Sequence, residues 1–249
     1  MSKRYCVVTP YYKEEREIIE RCLRSVASQT VPVDHIMMAD GHPQDWIDKE
    51  PVRHIKLDQS HGDCGNTPRG MGALMAVAEN YDGICFLDAD NWYDDDHVEA
   101  CLAAASAKAT PPDFVAAQRR FVRPDGSLMW LQPADQPHHP KIDTNCYFFL
   151  PRSYYVLGKW CTIPRALSQH GDELFYHFCR SQGLQFAVAD HRTVNYTCLF
   201  EACYQLLNEP SPPNAKPVIS WDVTNEWLAQ LEPEALLLVQ RGTGLHLRN

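Results

Sequence analysis

A short apolar run that ends in two aspartates constrains the fold of this chain more than any other feature. Residues Ile84 to Leu87 have the length and content of a buried strand in a parallel sheet, and Asp88 and Asp90 follow directly. Open α/β sheets bind ligands beyond the carboxyl ends of their strands, so these carboxylates are predicted to line a cleft. Two carboxylates on a short turn suit Mg²⁺ or Mn²⁺. The alternative is that they only end the strand and cap the next helix.

The segments before this run alternate between strand-like and helix-like patterns. Strands are predicted at 5–8, 35–39 and 52–57, and apolar residues at helical spacing predict amphipathic helices at 14–27 and 71–80. A strand–helix–strand order implies right-handed parallel crossovers. The first 110 residues therefore have the pattern of the nucleotide-binding half of an α/β domain.

The loop 61–70 is a candidate anion site, because it contains glycines and leads into a helix start at Thr67 and Pro68. Unpaired N–H groups at a helix start attract phosphate. Arg69 would add a forked donor for phosphate or ribose oxygens.

The second half of the chain departs from the parallel pattern. A strand at 114–121 is followed by a turn and a returning segment over 124–131, which predicts an antiparallel pair in an added sheet. Further on, Asp172 and Glu173 open an amphipathic helix that ends at Gly183. Two acids in that position are explained by the helix dipole alone.

The remaining segments predict the domain organisation. Residues 1–209 are interpreted as one domain, with halves at 1–110 and 111–209, because four prolines in 210–217 indicate a linker. One or two helices broken at Pro233 would form a tail that packs on the body or serves as a homodimer surface. The segment 133–140, with three prolines and a His-His pair, is expected to be a solvated loop or lid, since the spacing places no third metal ligand.

Composition excludes several classes of protein. A net charge of −9 disfavours a general nucleic-acid or anionic-membrane surface. The ten cysteines form no C-x-x-C pair, which favours reduced thiols in the cytosol over a zinc ribbon or a redox motif. No signal-peptide pattern and no membrane-length apolar stretch is found, so we expect a soluble, cytoplasmic protein without a transmembrane segment.

Taken in order, these segments resemble the GT-A-fold, family 2 type glycosyltransferases over most of residues 4–200. Six motifs carry the resemblance, and each is degenerate when taken singly. They are Val7–Glu15 (the opening V-I-P-x-Y-N-E-E), Ser25–Thr30 (S-l-x-x-Q-t), Ala39–Gly41 (D-D-G-S), Gly65–Gly72 (G-x-x-x-a-R-N-x-G), Leu87–Asp90 (D-x-D) and Gly171–Glu173 (the later E-D).

The chain also departs from the family pattern. Lys13 and Gly70 stand where asparagine is usual, and Ala39 replaces an acid. The later acid pair is reversed. Its distance from the helix end favours Glu173 as the catalytic base, whereas residue type favours Asp172, which we prefer slightly.

The resemblance implies a fold and an activity. The fold would be a GT-A, Rossmann-like, mixed but mainly parallel sheet flanked by helices, with a small antiparallel sheet on the acceptor side and a helical C-terminal tail. The activity would be that of an inverting hexosyltransferase, which moves a sugar from a UDP-sugar to the hydroxyl of a glycan or other acceptor with Mn²⁺ or Mg²⁺ bound.

It also implies roles for particular residues. Thr9, Pro10 and Tyr11 would form the base pocket. Asp172 or Glu173 would take the proton from the acceptor hydroxyl. Asp40 would accept a hydrogen bond from the uracil imide N–H, and Arg69 would contact the nucleotide. Asp88 would hold the ribose or a metal-bound water, and Asp90 would bind the ion.

Aromatic residues between Thr144 and Trp160 are expected to line the acceptor side, because aromatic faces suit sugar rings. They are Tyr147, Phe148, Tyr154, Tyr155 and Trp160. His191 is interpreted as a packed or surface histidine rather than as a metal contact.

Two other functions stay open. A nucleotidyltransferase would also use metal-binding aspartates, but residues 9–11 offer neither a glycine-rich phosphate loop nor a lysine. A catalytically inactive nucleotide-sugar-binding protein would account for the departures at Lys13, Gly70 and the reversed acid pair.

Overall fold

A computed structural model describes residues 3–131, 142–217 and 221–243, and the predicted loop 133–140 lies outside the described residues. The strands are β1 (Tyr5–Tyr11), β2 (Asp34–Asp40), β3 (Arg53–Leu57), β4 (Gly83–Phe86), β5 (Trp92–Tyr93), β6 (Phe114–Val122), β7 (Tyr147–Phe149) and β8 (Phe186–Thr197). The α-helices are α1 (Arg16–Ala27), α2 (Asn66–Ala78), α3 (His97–Ser106), α4 (Gly171–Ser181), α5 (Glu201–Leu206), α6 (Trp221–Ala229) and α7 (Pro233–Thr243). Short 3₁₀ helices lie at Asp45–Lys49, Thr144–Cys146, Pro151–Thr162 and Arg165–His170.

All the strands of the described residues form one sheet, in the order β3-β2-β1-β4-β7-β6-β8-β5. The pairs β1–β2, β2–β3, β1–β4 and β6–β8 are parallel, whereas β4–β7, β6–β7 and β5–β8 are antiparallel. This confirms the expected mixed, mainly parallel α/β fold. The antiparallel pairs of the second half are built into the main sheet and do not form a small sheet of their own.

The central strands are buried on both faces, as the apolar run at 84–87 predicted. Along β1, Cys6 and Val8 pack into a core cluster with Trp160, while Val7 packs on the opposite face in a cluster with Cys22 of α1. Successive side chains of a strand point to opposite faces, so one apolar strand contributes to two helix–sheet interfaces.

The C-terminal segments lie against the body of the protein. The main-chain N–H of Lys216 donates to the carbonyl of Leu199 at 2.7 Å, and the Lys216 carbonyl accepts from the N–H of Glu201 at 3.0 Å. Lys216 is therefore attached to the body of the protein, whereas the domain boundary at 209 and the linker at 210–217 stay predictions. Trp221, at the start of α6, stacks on His170 with 3.7 Å between ring centroids. The helical break is found as expected, since α7 begins at Pro233.

Two further expectations concern a homodimer surface and a membrane-spanning helix. Leu238 on α7 is 70% exposed, but the homodimer surface stays a prediction. Within the described ranges, no helix combines the length and the apolar content needed to cross a bilayer.

Gly70 is required by close packing between α2 and the 3₁₀ helix Pro151–Thr162. A Cβ atom at position 70 would lie 2.5 Å from Sγ of Cys161 and 2.9 Å from Cβ of Trp160. There is no room for the asparagine that the family pattern has at this position. The departure therefore has a structural reason and says nothing against activity.

We expect Gly70→Ala to lower the free energy of unfolding by about 1–2 kcal/mol, because overpacking outweighs the gain in helix propensity. Urea denaturation measures the difference. Gly158→Ala is the matched control, since a Cβ there would meet only Leu74, at 3.8 Å. Equal stability of the two variants would contradict the packing argument.

Candidate active site

A cleft of about 1420 Å³ opens beyond the carboxyl ends of β1, β2 and β4. Tyr11, Asp40 and Asp88, which end or follow these strands, line one side of it. Asp172 of α4 and Lys216 of the C-terminal segment also line it. Strands, helix α4 and the segment after β8 thus converge where the sheet topology favours ligand binding.

Asp88 is held by two partners. Nη2 of Arg69 donates to Oδ1 of Asp88 at 2.6 Å, and Nδ2 of Asn145 donates to Oδ2 at 3.0 Å. The main-chain N–H of Asp88 in turn donates to Oδ1 of Asn145 at 2.6 Å. Arg69 also donates to Oδ1 of Asn66 at 3.0 Å and lies over the ring of Trp160. Both the position and the orientation of the Asp88 carboxylate are therefore fixed.

This arrangement continues across the floor of the cleft. Asn145 donates through Nδ2 to Oδ1 of Asp143 at 2.8 Å, and Asp143 forms an ion pair with Arg119 of β6. We call the sequence Arg69–Asp88–Asn145–Asp143–Arg119 the polar chain. Sequence reasoning missed its last three members. One signal was available, because a charged residue inside an apolar strand such as 114–121 requires a buried partner.

Asp90 differs from Asp88 in its surroundings. Its carboxylate accepts no hydrogen bond from any other residue that the structure describes, although its main-chain carbonyl accepts one from Arg21 at 3.1 Å and another from the hydroxyl of Thr197. Burial, followed by the negative charges of Asp88 and Glu14, raises the pKa of Asp90 to about 7. The ionised form of this carboxyl is therefore unfavourable until a cation approaches.

The two aspartates fit a Mg²⁺ or Mn²⁺ ion that binds together with phosphate oxygens. Such ions take one or two protein carboxylates and complete their coordination with phosphates and water. Over residues 3–131, 142–217 and 221–243, no group of three or more His, Cys, Asp or Glu side chains is arranged to hold a metal by itself. His191 does not line the cleft. Its Nε2 pairs with Asp96 at 2.8 Å.

The predicted base pocket is present only in part. Pro10 and Tyr11 line the cleft, but Thr9 does not. Thr9 is fully buried, and its hydroxyl is hydrogen-bonded to Nε2 of His35 at 2.8 Å. Thr9 and Tyr11 share a face of the sheet, but Thr9 lies further from the end of β1 and its side chain is covered there. The contact of Thr9 with the base stays a prediction.

Asp40 lines the cleft but already has partners. The ring Nδ1–H and the main-chain N–H of His61 both donate to Oδ1 of Asp40, at 2.7 and 3.0 Å. Oδ2 accepts a longer hydrogen bond from Ser60, at 3.3 Å. One carboxylate oxygen is thus saturated and the other is only weakly engaged. The uracil contact of Asp40 stays a prediction.

The candidate anion site in the loop 61–70 is filled by the protein itself. Oδ2 of Asp63 accepts hydrogen bonds from the main-chain N–H and the hydroxyl of Thr67, at 2.9 and 2.6 Å. Arg69 lines the cleft one turn further along α2, but its guanidinium faces Asp88. A direct contact of Arg69 with a nucleotide stays a prediction.

Of the two acids at the start of α4, Asp172 lines the cleft and Glu173 does not. Oδ1 of Asp172 accepts from the main-chain N–H of Glu173 at 2.8 Å, within the first turn of the helix. A Cβ at Gly171 would lie 2.8 Å from Oδ1 of Asn66, so α4 begins directly against the start of α2. This close approach brings Asp172 into the cleft that contains Asp88.

The aromatic residues expected on the acceptor side do not line the cleft, and that expectation was wrong. Tyr147, Phe148 and Trp160 are fully buried. Tyr154 donates its hydroxyl to the carbonyl of Tyr81 at 2.9 Å, and Tyr155 is 65% exposed outside the cleft. For Tyr147 and Phe148 the reason is the sheet order, because β7 lies between β4 and β6 and both of its faces are covered.

Comparisons with known proteins agree with this geometry. The model of the family described as "Glycosyl transferase family 2" matches residues 6–163. No curated protein sequence matches the chain.

Solved structures share the fold at low identity. S. aureus TarS has 15% identity and a TM-score of 0.57, over 95% of this chain and 43% of TarS. S. aureus TarS 1–349 in complex with UDP has 16% identity and a TM-score of 0.57, over 93% of this chain and 76% of that one. GalNAc-T7 with UDP, GalNAc and Mn²⁺ has 13% identity and a TM-score of 0.60, over 80% of this chain and 45% of that one. The present chain thus spans less than half of TarS and of GalNAc-T7.

We expect Asp90→Asn to stabilise the metal-free protein at pH 8 and to have little effect at pH 4. The folded-state pKa of about 7 lies above the ordinary value of 3.8, so the folded protein keeps a proton that the unfolded chain loses. Stability therefore falls as pH rises from about 4 to 7. We expect Asp90→Asn to raise the free energy of unfolding at pH 8 by about 1–3 kcal/mol. This is less than the full pKa shift would give, because the carboxyl is open to the cleft and is partly screened by solvent.

Urea denaturation in the presence of a chelator, at both pH values, measures this difference. Asp58→Asn is the matched control, because Asp58 is exposed and forms no ion pair with the described residues. Its effect should be the same at both pH values. A pH-independent effect of Asp90→Asn would show that its carboxyl titrates normally.

Proposed function

The chain belongs to glycosyl transferase family 2, and from that membership we propose that it is an inverting hexosyltransferase that uses a UDP-sugar. The acceptor would be a hydroxyl group of a glycan or another molecule. The observation that carries the proposal is that Asp88, Asp90 and Asp172 line a single cleft beyond the sheet. UDP as the nucleotide is supported by the structures of TarS and GalNAc-T7, whose complexes contain UDP.

On the donor side, Pro10 and Tyr11 would contact the base, and Asp40 would accept a hydrogen bond from the imide N–H of uracil. A carboxylate is suited to this contact because it only accepts hydrogen bonds when ionised. Arg69 would act on the nucleotide chiefly by holding Asp88, which would then face the ribose or a metal-bound water.

Asp90, with Asp88 beside it, would hold Mn²⁺ or Mg²⁺. Such an ion, when bound, supplies positive charge against the diphosphate and against the charge that develops on UDP as it leaves. The protein's part is to present one open carboxylate and one fixed carboxylate at the same turn. The charges of Asp88 and Asp90 repel each other in the metal-free state, and a cation relieves that repulsion.

Asp172 would be the general base. Its carboxylate would accept the proton of the acceptor hydroxyl as that oxygen forms a bond to the anomeric carbon. The bond from this carbon to the UDP oxygen breaks at the same time, and UDP leaves with the electron pair. One displacement of this kind inverts the anomeric carbon. We prefer Asp172 to Glu173 because only Asp172 lines the cleft.

We expect the wild-type protein to bind UDP more tightly with Mn²⁺ than without it, and to release UDP slowly from at least one UDP-sugar. Asp172→Asn should keep UDP affinity within about twofold while turnover falls by about 10²–10⁴, the usual contribution of a general base. Calorimetry measures the binding, and a coupled assay of UDP release over a panel of UDP-sugars measures turnover.

Glu173→Gln is the matched control and should retain turnover. Loss of turnover in this variant, with activity kept in Asp172→Asn, would reverse the assignment of the base. Binding of UDP without turnover of any UDP-sugar would favour the inactive binding protein. A wild-type protein that binds no UDP, with or without Mn²⁺, would refute the proposed function.

A further inference from the structure

The family match ends at residue 163, yet the C-terminal segment contributes a cation to the cleft. We propose that Lys216 binds the diphosphate of the donor and stabilises it as the leaving group. This proposal rests on the proposed function and extends it to a residue that no motif identified. It also gives the end of the segment 210–217 a role in binding the donor.

The main chain at Lys216 is fixed although the side chain is exposed. Its N–H donates to the carbonyl of Leu199 at 2.7 Å, and its carbonyl accepts from the N–H of Glu201 at 3.0 Å. These two hydrogen bonds form a parallel bridge with Phe200, just past the end of β8. Phe200 itself lines the cleft. The lysine therefore starts from a defined point on the wall of the cleft.

Among the described residues that line the cleft, Lys216 is also the basic residue that is free to act on a ligand. The other basic side chains that line the cleft all have protein partners: Arg69 pairs with Asp88, Arg119 pairs with Asp143, and Arg165 donates through Nε to the carbonyl of Gly62 at 3.2 Å. The ammonium of Lys216 forms no hydrogen bond or ion pair with any residue in the described parts of the chain.

Lys216 lines the same cleft as the carboxylates of Asp88 and Asp90. The carboxylates that line the cleft outnumber its basic side chains, so a diphosphate would meet a negative field there. A compact ammonium in the same cleft would reduce that repulsion, and lysine commonly binds phosphate as a point charge.

The role follows from how charge moves in the transfer. When the bond from the anomeric carbon to the UDP oxygen breaks, negative charge increases on the terminal phosphate. A charge-assisted hydrogen bond from Lys216 would become stronger at that moment, which is the condition for an interaction to favour the transition state. Lys216 would act beside the metal at Asp90 and would not replace it.

Calorimetric titrations of uridine and of UDP, each with and without Mn²⁺, test the proposal on the full chain. We expect Lys216→Met to weaken UDP binding about tenfold and to leave uridine binding unchanged, since a hydrogen bond to a charged group is lost. Lys216→Arg should recover most of the UDP affinity. Lys108→Met is the matched control, because Lys108 is exposed beyond the end of α3, outside the cleft, and its loss changes the net charge equally.

Unchanged UDP affinity in Lys216→Met would overturn the proposal. An equal loss for uridine and UDP would also overturn it, because the lysine would then only support the shape of the cleft. In both cases the wild-type protein still binds UDP, so the proposed function would stand. A wild-type protein that binds no uridine nucleotide would refute the proposed function, and this proposal with it.

Discussion

The rest of the site depends on the hydrogen bonds that hold Asp88 between Arg69 and Asn145. Arg69 is only 3% exposed, and a buried guanidinium is strongly unfavourable unless a carboxylate faces it. Asp88 satisfies that requirement, and Asn145 links it to the ion pair of Asp143 and Arg119. The polar chain therefore joins α2, the end of β4, the start of β7 and β6. The same contacts that stabilise the fold fix one carboxylate at the floor of the cleft.

The residues that line the cleft come from two parts of the chain. The parallel strands β1, β2 and β4 contribute Tyr11, Asp40 and Asp88, and this half matches the family model. Helix α4 and the segment after β8, both beyond the matched residues, also line the cleft. There the protein places a carboxylate, Asp172, and a cation, Lys216. The matched half would thus hold the base and the metal, and these later segments would act on the acceptor and on the diphosphate.

The strands and the acids at their ends could be predicted because both depend on local pattern. An apolar run followed by D-x-D shows where β4 ends, and the carboxyl ends of parallel strands meet at one edge. The errors have a common cause, which is that strand order cannot be derived from periodicity. Tyr147 was placed on an acceptor surface, but it lies on a central strand. Arg119 of β6 pairs with Asp143, which precedes β7, and this contact also depends on strand order. Prolines near Lys216 indicated a loop without showing what that loop contacts.

The central claim is that a nucleotide diphosphate binds beside Asp90 while the polar chain stays intact. A crystal structure of the protein with UDP and Mn²⁺ tests it most directly. We expect the diphosphate and the ion next to Asp90, the ion pair of Asp88 and Arg69 preserved, and the base near Tyr11. Nucleotide bound away from Asp90, or an Asp88 that leaves Arg69 to bind the ion, would contradict the account.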